Sequence, residues 1–131
     1  MSTDKVTPPP APAYATAGPW IVLSGQVGVD HQWRPVTESF VEEAQAAFEN
    51  VFEQLRAAGT DRSAIVKVTA YLSDFSHFDD YNAVWAGVFK EHVPARTTIQ
   101  AGLHPPFRVE LDVIAFYSTE LVSSPAVESE I

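Results

Sequence analysis

The stretch HVPARTTIQ, residues 92–100, holds one arginine with no acidic residue close to it in sequence. The residues after Arg96 alternate as those of a strand do, so Arg96, Thr98 and Gln100 share a face. A guanidinium grips a carboxylate at two points. An arginine in this setting is either a surface charge or is aimed at an acid that the chain does not itself supply. Glu110 opens the next strand, where a short hairpin would bring it near the strand of Arg96. There it would handle a water or a proton beside a bound acid, or close a structural Arg–Glu pair. The other candidates are weaker. His31, His77, His92 and His104 are far apart and lack metal-ligand spacing, so no metal site is expected. Asp79 and Asp80 read as a solvated helix face. GQVG lacks the lysine and the glycine spacing of a phosphate loop. Ser24 reads as readily as a strand serine as a nucleophile, and no Ser–His–Asp set is visible. Without cysteine there is no disulfide, thiolate nucleophile or Cys-based metal site.

These residues need elements to hold them. WIVLSGQVGVD reads as one strand, with Ile21 and Leu23 on one face and Trp20, Val22 and Ser24 on the other. Gly25 and Gly28 suit a bulge or a close backbone approach. Val41, Ala44, Phe48, Val51, Leu55 and Ala58 recur at helical spacing over about five turns. Thr37 or Ser39 is placed to cap that helix, and Gly59 to end it. AIVKVTAYLSD reads as a strand with Val66, Val68, Ala70 and Leu72 on one face. A second helix is expected over residues 76–91, with Phe78, Tyr81, Trp85 and Val88 on its apolar side. ARTTIQA and RVELDVIAFY are further strands, and Pro105 and Pro106 mark the connection between them.

The order strand, helix, strand, helix, strand, strand predicts a two-layer α+β fold: a mixed sheet with both helices on one face. In the last strand Val109, Leu111, Val113 and Ala115 make one apolar face. The other face carries Glu110 and Asp112, then Ile114 and Phe116. Two helices cover only one side of a sheet, so an apolar patch is left over. Patches of that kind mark contacts, and the expected cover is other copies of the chain in a closed ring. The arm or a long loop folded over the patch is the alternative.

Length and composition fit one domain, with 131 residues of which 46% are apolar. Residues 1–13 are expected to form a disordered or extended Pro-rich arm, residues 14–118 the domain, and residues 119–131 an acidic tail. The net charge of −9, with eight scattered Lys and Arg, opposes binding to a nucleic-acid backbone. No apolar run reaches the ~18 residues of a membrane span. The N-terminus lacks a signal-peptide core, and the lack of cysteine permits a cytoplasmic home, which is the expected one.

LSGQVGVD, AQAAFENVFEQLRAAG, IVKVTAYLSDFSHFDDYNAVWAGVF, VPARTT and VELDVIAF stand in the order and spacing seen in the reactive intermediate deaminases, the RidA (YjgF) family. The chain resembles that family over about residues 14–117. The resemblance implies a chorismate-mutase-like fold and a homotrimer with clefts between subunits. It implies hydrolysis of enamines and imines to 2-oxo acids and ammonia, with no cofactor. It assigns Arg96 to the substrate carboxylate and Glu110 to the attacking water. Ser24, Asn82, Thr98 and an aromatic residue near the N-terminus, for which Tyr14 is the candidate, would line the cleft. Thr98 stands where archetypal members often carry cysteine, and the stretch from Tyr14 to SGQ is short, so substrate preference is the feature most open to change. Two other readings remain: non-catalytic binding or sensing of small carboxylic metabolites, and a specialised pathway enzyme on the same scaffold. A ribonuclease is disfavoured by charge.

Overall fold

The computed structural model describes residues 4–118. Its strands are β1 (Tyr14–Ala17), β2 (Trp20–Leu23), β3 (Gln26–Val27), β4 (Ile65–Leu72), β5 (Ala95–Gln100) and β6 (Val109–Phe116). Its α-helices are α1 (Phe40–Ala57) and α2 (Phe78–Val88). The strands run in the order β1-β2-β6-β4-β5, with β3 also paired to β6. Only β4 and β5 pair in parallel; the other pairs are antiparallel. The expected mixed sheet with helices on one face is thus present. No described helix is long and apolar enough to cross a membrane.

Local chemistry accounts for the elements. Ser39 accepts a hydrogen bond from the Glu42 N–H at 3.0 Å, capping α1, and Glu42 and Glu43 favour its positive end. Gly59, at φ +94°, ends it in the left-handed region that glycine tolerates. Phe40, Ala44, Ala47, Phe48, Val51, Phe52 and Leu55 are buried along α1. They meet Val68, Ala70 and Leu72 of β4 and Val109, Leu111, Val113 and Ala115 of β6 in one core.

Several expectations need correction. The Trp20 stretch is not one strand: it breaks at Ser24 and Gly25 into β2 and β3. YATA, expected only as the start of the body, pairs with β2 as a hairpin turning at Gly18, whose φ is +57°. A register shift between Ile65 and Lys67 turns Val66 outward, 44% exposed, so Ile65 takes its place in the core. The second helix begins with a 3₁₀ turn at Phe75–His77 and stops at Val88, and Phe78 is 38% exposed. β5 and β6 are not a hairpin, because β4 lies between them. From residue 4 the arm is partly tied down, its Val6 N–H donating to the Trp33 carbonyl at 2.8 Å. Residues 119–131 lie outside the described residues.

One buried ion pair escaped the sequence reading. Glu43, fully buried, accepts from the Arg108 backbone N–H at 2.7 Å and from Arg108 Nε at 2.8 Å. Arg108 Nη2 also donates to the Thr37 carbonyl at 3.1 Å. A Cβ on Gly28 would stand 2.5 Å from the Glu43 carbonyl oxygen, so the chain before α1 closes on the helix only with glycine there. These contacts pin the start of β6, and with it Glu110, to the first turn of α1.

Removing one partner of a buried pair strands the other. Glu43→Ala is therefore expected to lower unfolding free energy by about 3 kcal/mol in urea titration. A loss below about 1 kcal/mol, the range of an exposed bridge, would contradict the structural role given to this pair.

Candidate active site

Arg96 stands on edge strand β5 and reaches toward α2. Its Nη2 donates to Asn82 Oδ1 at 2.7 Å and to Thr98 Oγ1 at 3.0 Å. Asn82 comes from α2, and Thr98 lies two residues along the strand on the same face. The ring centroids of Trp85, Tyr81 and Phe78 lie 5.0, 5.2 and 5.9 Å from its guanidinium carbon, within cation–π range. None of the ion pairs among the described residues involves Arg96. Its Nε and Nη1 donors have no hydrogen bond to a described residue. Nη2 is thus engaged on both its hydrogens, while the Nε and Nη1 donors keep a positive edge open to an incoming carboxylate oxygen. The Tyr81 hydroxyl is buried without a hydrogen-bond partner among the described residues. Burial pushes its pKa up, against the opposing pull of Arg96, so it stays a neutral phenol.

Glu110 lies on the opposite side of the sheet. Arg96 is in register with Val68, and Glu110 with Tyr71. Val68 and Tyr71 are an odd number of residues apart on β4, so their partners point to opposite faces. Glu110 faces a shallow groove of about 480 Å³ with Tyr71, Asp112, His104 and Gly25. Its carboxylate lies against Gly25, where a Cβ would overlap it. Half-burial, and then the charge of Asp112, push the Glu110 carboxyl above the ordinary carboxylate range. Such a group exchanges protons nearer neutrality. A second cavity, of about 660 Å³, shares Gly25, His104 and Glu110 with the groove.

The structure therefore brings Arg96, Asn82 and Thr98 together on the helix face, and Glu110 together with the Ser24–Gly25 turn on the open face. It does not join the two groups within one chain. Ser24 lines the larger cavity, but its hydroxyl donates to the Pro12 carbonyl at 2.6 Å. Tyr14 does not reach that cavity. It pairs with core-facing Leu23, and its hydroxyl donates to the Ala57 carbonyl at the end of α1, at 3.4 Å.

The histidines have separate local roles. His31 meets Glu53 at 2.9 Å, His77 stacks on Phe40, and His92 Nε2 lies 3.1 Å from the Ile65 carbonyl. No metal-ligating cluster exists among the described residues.

The sequence reading missed the ring cage around Arg96. Its signal was present, since positions 78, 81 and 85 share a helix face, but aromatic residues at that spacing read as core. Trp33, which lines the larger cavity, sits in a loop where periodicity says nothing.

Residues 7–117 match the family model described as endoribonuclease L-PSP. The chain is 37% identical over 97 residues to human 2-iminobutanoate/2-iminopropanoate deaminase, covering 72% of this chain and 71% of that protein. It is 34% identical over 115 residues to the mitochondrial protein Mmf1 of Saccharomyces cerevisiae, covering 85% and 79%. Among solved structures, yeast Mmf1 superimposes with a TM-score of 0.81 at 29% identity, covering 87% and 92% of the two chains. RidA from an Antarctic Psychrobacter gives 0.79 at 28%, covering 87% and 94%. TdcF of E. coli with bound serine gives 0.79 at 27%, covering 88% and 94%. Sequence, fold and site together show that this chain belongs to the RidA (YjgF) family.

Proposed function

We propose that this chain hydrolyses the imine and enamine forms of 2-amino acids, without a cofactor, in clefts formed between copies of itself in a homotrimer. The observation that carries this is the Arg96 guanidinium, whose Nη2 is steadied by Asn82 and Thr98, whose Nε and Nη1 donors are free, and which has no carboxylate partner among the described residues. The relative named as an imine deaminase, 37% identical, sets the class of acid that the fork would hold. The opposed faces of Arg96 and Glu110 support a site shared between copies. So does the open face, where Trp20, Val22 and Ile114 are 42%, 44% and 36% exposed and Trp20 packs edge-on against Phe116.

The chemistry is within reach of this set. In a protonated imine the carbon is already electrophilic. Arg96 holds the carboxylate beside it. Glu110, as the carboxylate, orients a water and accepts its proton as oxygen bonds to the carbon. That proton then passes to nitrogen; as the carbon–nitrogen bond breaks and ammonia leaves, Glu110 takes the remaining hydroxyl proton and the oxygen becomes a carbonyl. Water is consumed, and a 2-oxo acid and ammonia are released. Positioning supplies most of what a cofactor-free site can offer. RNA cleavage, which the family model's description names, is opposed by the net charge of −9.

Imines made in situ by an amino-acid oxidase or a dehydratase should disappear faster in the presence of the protein. No acceleration across several side chains would sink the reading, and purified protein should leave RNA intact. A charge-assisted hydrogen bond contributes roughly 1.5–3 kcal/mol, so Arg96→Ala should cost about tenfold to hundredfold in kcat/KM. Arg96→Lys should recover only a small part, since it keeps the charge and loses the fork.

The pH dependence has a definite sign. The active form of Glu110 is the carboxylate, so wild-type kcat/KM falls as pH drops through its raised pKa. E110Q should be slow and lack that limb. A limb that persists in E110Q would assign it to another group.

A further inference from the structure

We propose that the larger cavity beside Glu110 receives the substrate's side chain, and that this chain prefers imines of bulky, uncharged amino acids, aromatic ones above all, to small ones. The inference rests on the imine-hydrolysis reading and names its substrate class. Three observations lead to it. The first is continuity. The cavity, about 660 Å³, has Glu110, Gly25 and Ser24 in its own wall, so a substrate whose reacting carbon meets Glu110 has its side chain at the entrance. That volume lies within the range of small-molecule pockets and far exceeds the need of a methyl group.

The second observation is the way the cavity is roofed. The arm is tied at both ends: the Val6 N–H donates to the Trp33 carbonyl at 2.8 Å, and the Ser24 N–H and hydroxyl donate to the carbonyls of Ala13 and Pro12 at 2.9 and 2.6 Å. Between the ties, Thr7, Pro9 and Ala11 line the space. Trp33, also in the wall, adopts φ +60°, a left-handed conformation that a bulky residue rarely takes. Such strain persists only where the surroundings over-determine it, and it concentrates at ligand sites. Here the Trp33 N–H donates to the Asp30 carbonyl at 2.9 Å while its carbonyl holds the arm.

The third observation is polarity. Val6, Pro9, Val29, Trp33 and Phe107 present apolar and aromatic surface. Besides Glu110, the carboxylates in the wall are already engaged. Asp30 accepts from the Gln32 and Arg34 N–H groups at 2.8 and 3.0 Å, and Glu53 meets His31 at 2.9 Å. No lysine or arginine is among the described residues that line the space, and His31 is taken by Glu53, so an acidic side chain meets three carboxylates without a permanent cation to offset them.

The test compares kcat/KM for imines generated from alanine, leucine, phenylalanine and glutamate. The expected order is phenylalanine and leucine above alanine, with glutamate last. Phenylalanine should exceed alanine by about tenfold or more, the scale on which apolar pockets discriminate. Two full-length variants, each checked for an unchanged fold by circular dichroism, locate the effect. A11F fills the roof and W33A removes the wall, and each should reduce the phenylalanine-to-alanine ratio at least about fivefold. A wild-type ratio at or below one, or a ratio that neither variant moves, would overturn the proposal while leaving imine hydrolysis in place. If no imine is hydrolysed, the deaminase reading fails by itself, and calorimetry with phenylpyruvate and pyruvate decides the cavity. Tighter phenylpyruvate binding that A11F abolishes would sustain it; equal binding of the two acids would refute it.

Discussion

Side chains alternate along a strand, and that alternation separates the two groups to which the proposed chemistry is assigned. β4 lies between β5 and β6, and its residues Val68 and Tyr71, in register with Arg96 and Glu110, point to opposite faces. No rotamer change carries a guanidinium through a six-stranded sheet. If the two groups act on one molecule, a second copy must bring its edge strand to the open face of the first. The apolar residues on that face then have a role beyond packing. Trp20, Val22 and Ile114 would hold the copies in the register that lets Arg96 of one chain meet Glu110 of the next.

Each half is held by contacts of its own, as a site completed by a second copy would require. Arg96 is steadied by Asn82 and Thr98 within a cage of rings. Glu110 stands two residues beyond Arg108, whose backbone and side chain both bind the buried Glu43 carboxylate. The carboxylate of Glu110 can lie against the backbone at Gly25 only because that residue lacks a Cβ. Asn50 contributes from α1, its amide donating to the Val27 and Val29 carbonyls at 2.9 and 3.0 Å. That contact fixes the strand leading away from the SGQ turn. Burial without a neutralising partner in the same chain then leaves Glu110 with a raised pKa, a property suited to moving protons.

Much of this was legible in the sequence, and the failures have physical causes. α1 was readable because its apolar spacing, its Ser39 cap and Gly59 all agree. The uncovered face of β6 came from counting helices against faces. Strand order was not readable, because pairing between distant segments leaves no local mark. The hairpin imagined between β5 and β6 was the cost. The bulge that swaps Val66 for Ile65 has no turn residue to announce it. Glu43 looked like one more acidic residue in a helix's first turn, and only the fold shows Arg108 reaching it. Tyr14 is the aromatic residue near the N-terminus, but its type says nothing of its direction: the short hairpin pairs it with Leu23 and sends its hydroxyl to the end of α1. Arg96 was readable as an unpaired cation, but not the side of the sheet on which it stands.

Complementation tests the shared site most directly. R96A and E110Q, each slowed at least about tenfold alone, should regain activity when co-assembled in equal amounts. A cleft that takes its arginine from one chain and its glutamate from the next is complete in about one case in four under random mixing. Recovery of roughly a quarter of wild-type turnover per site is the predicted result. Co-assembled trimers with no activity beyond that of the separate variants would show that both groups must come from one chain, and would contradict the account.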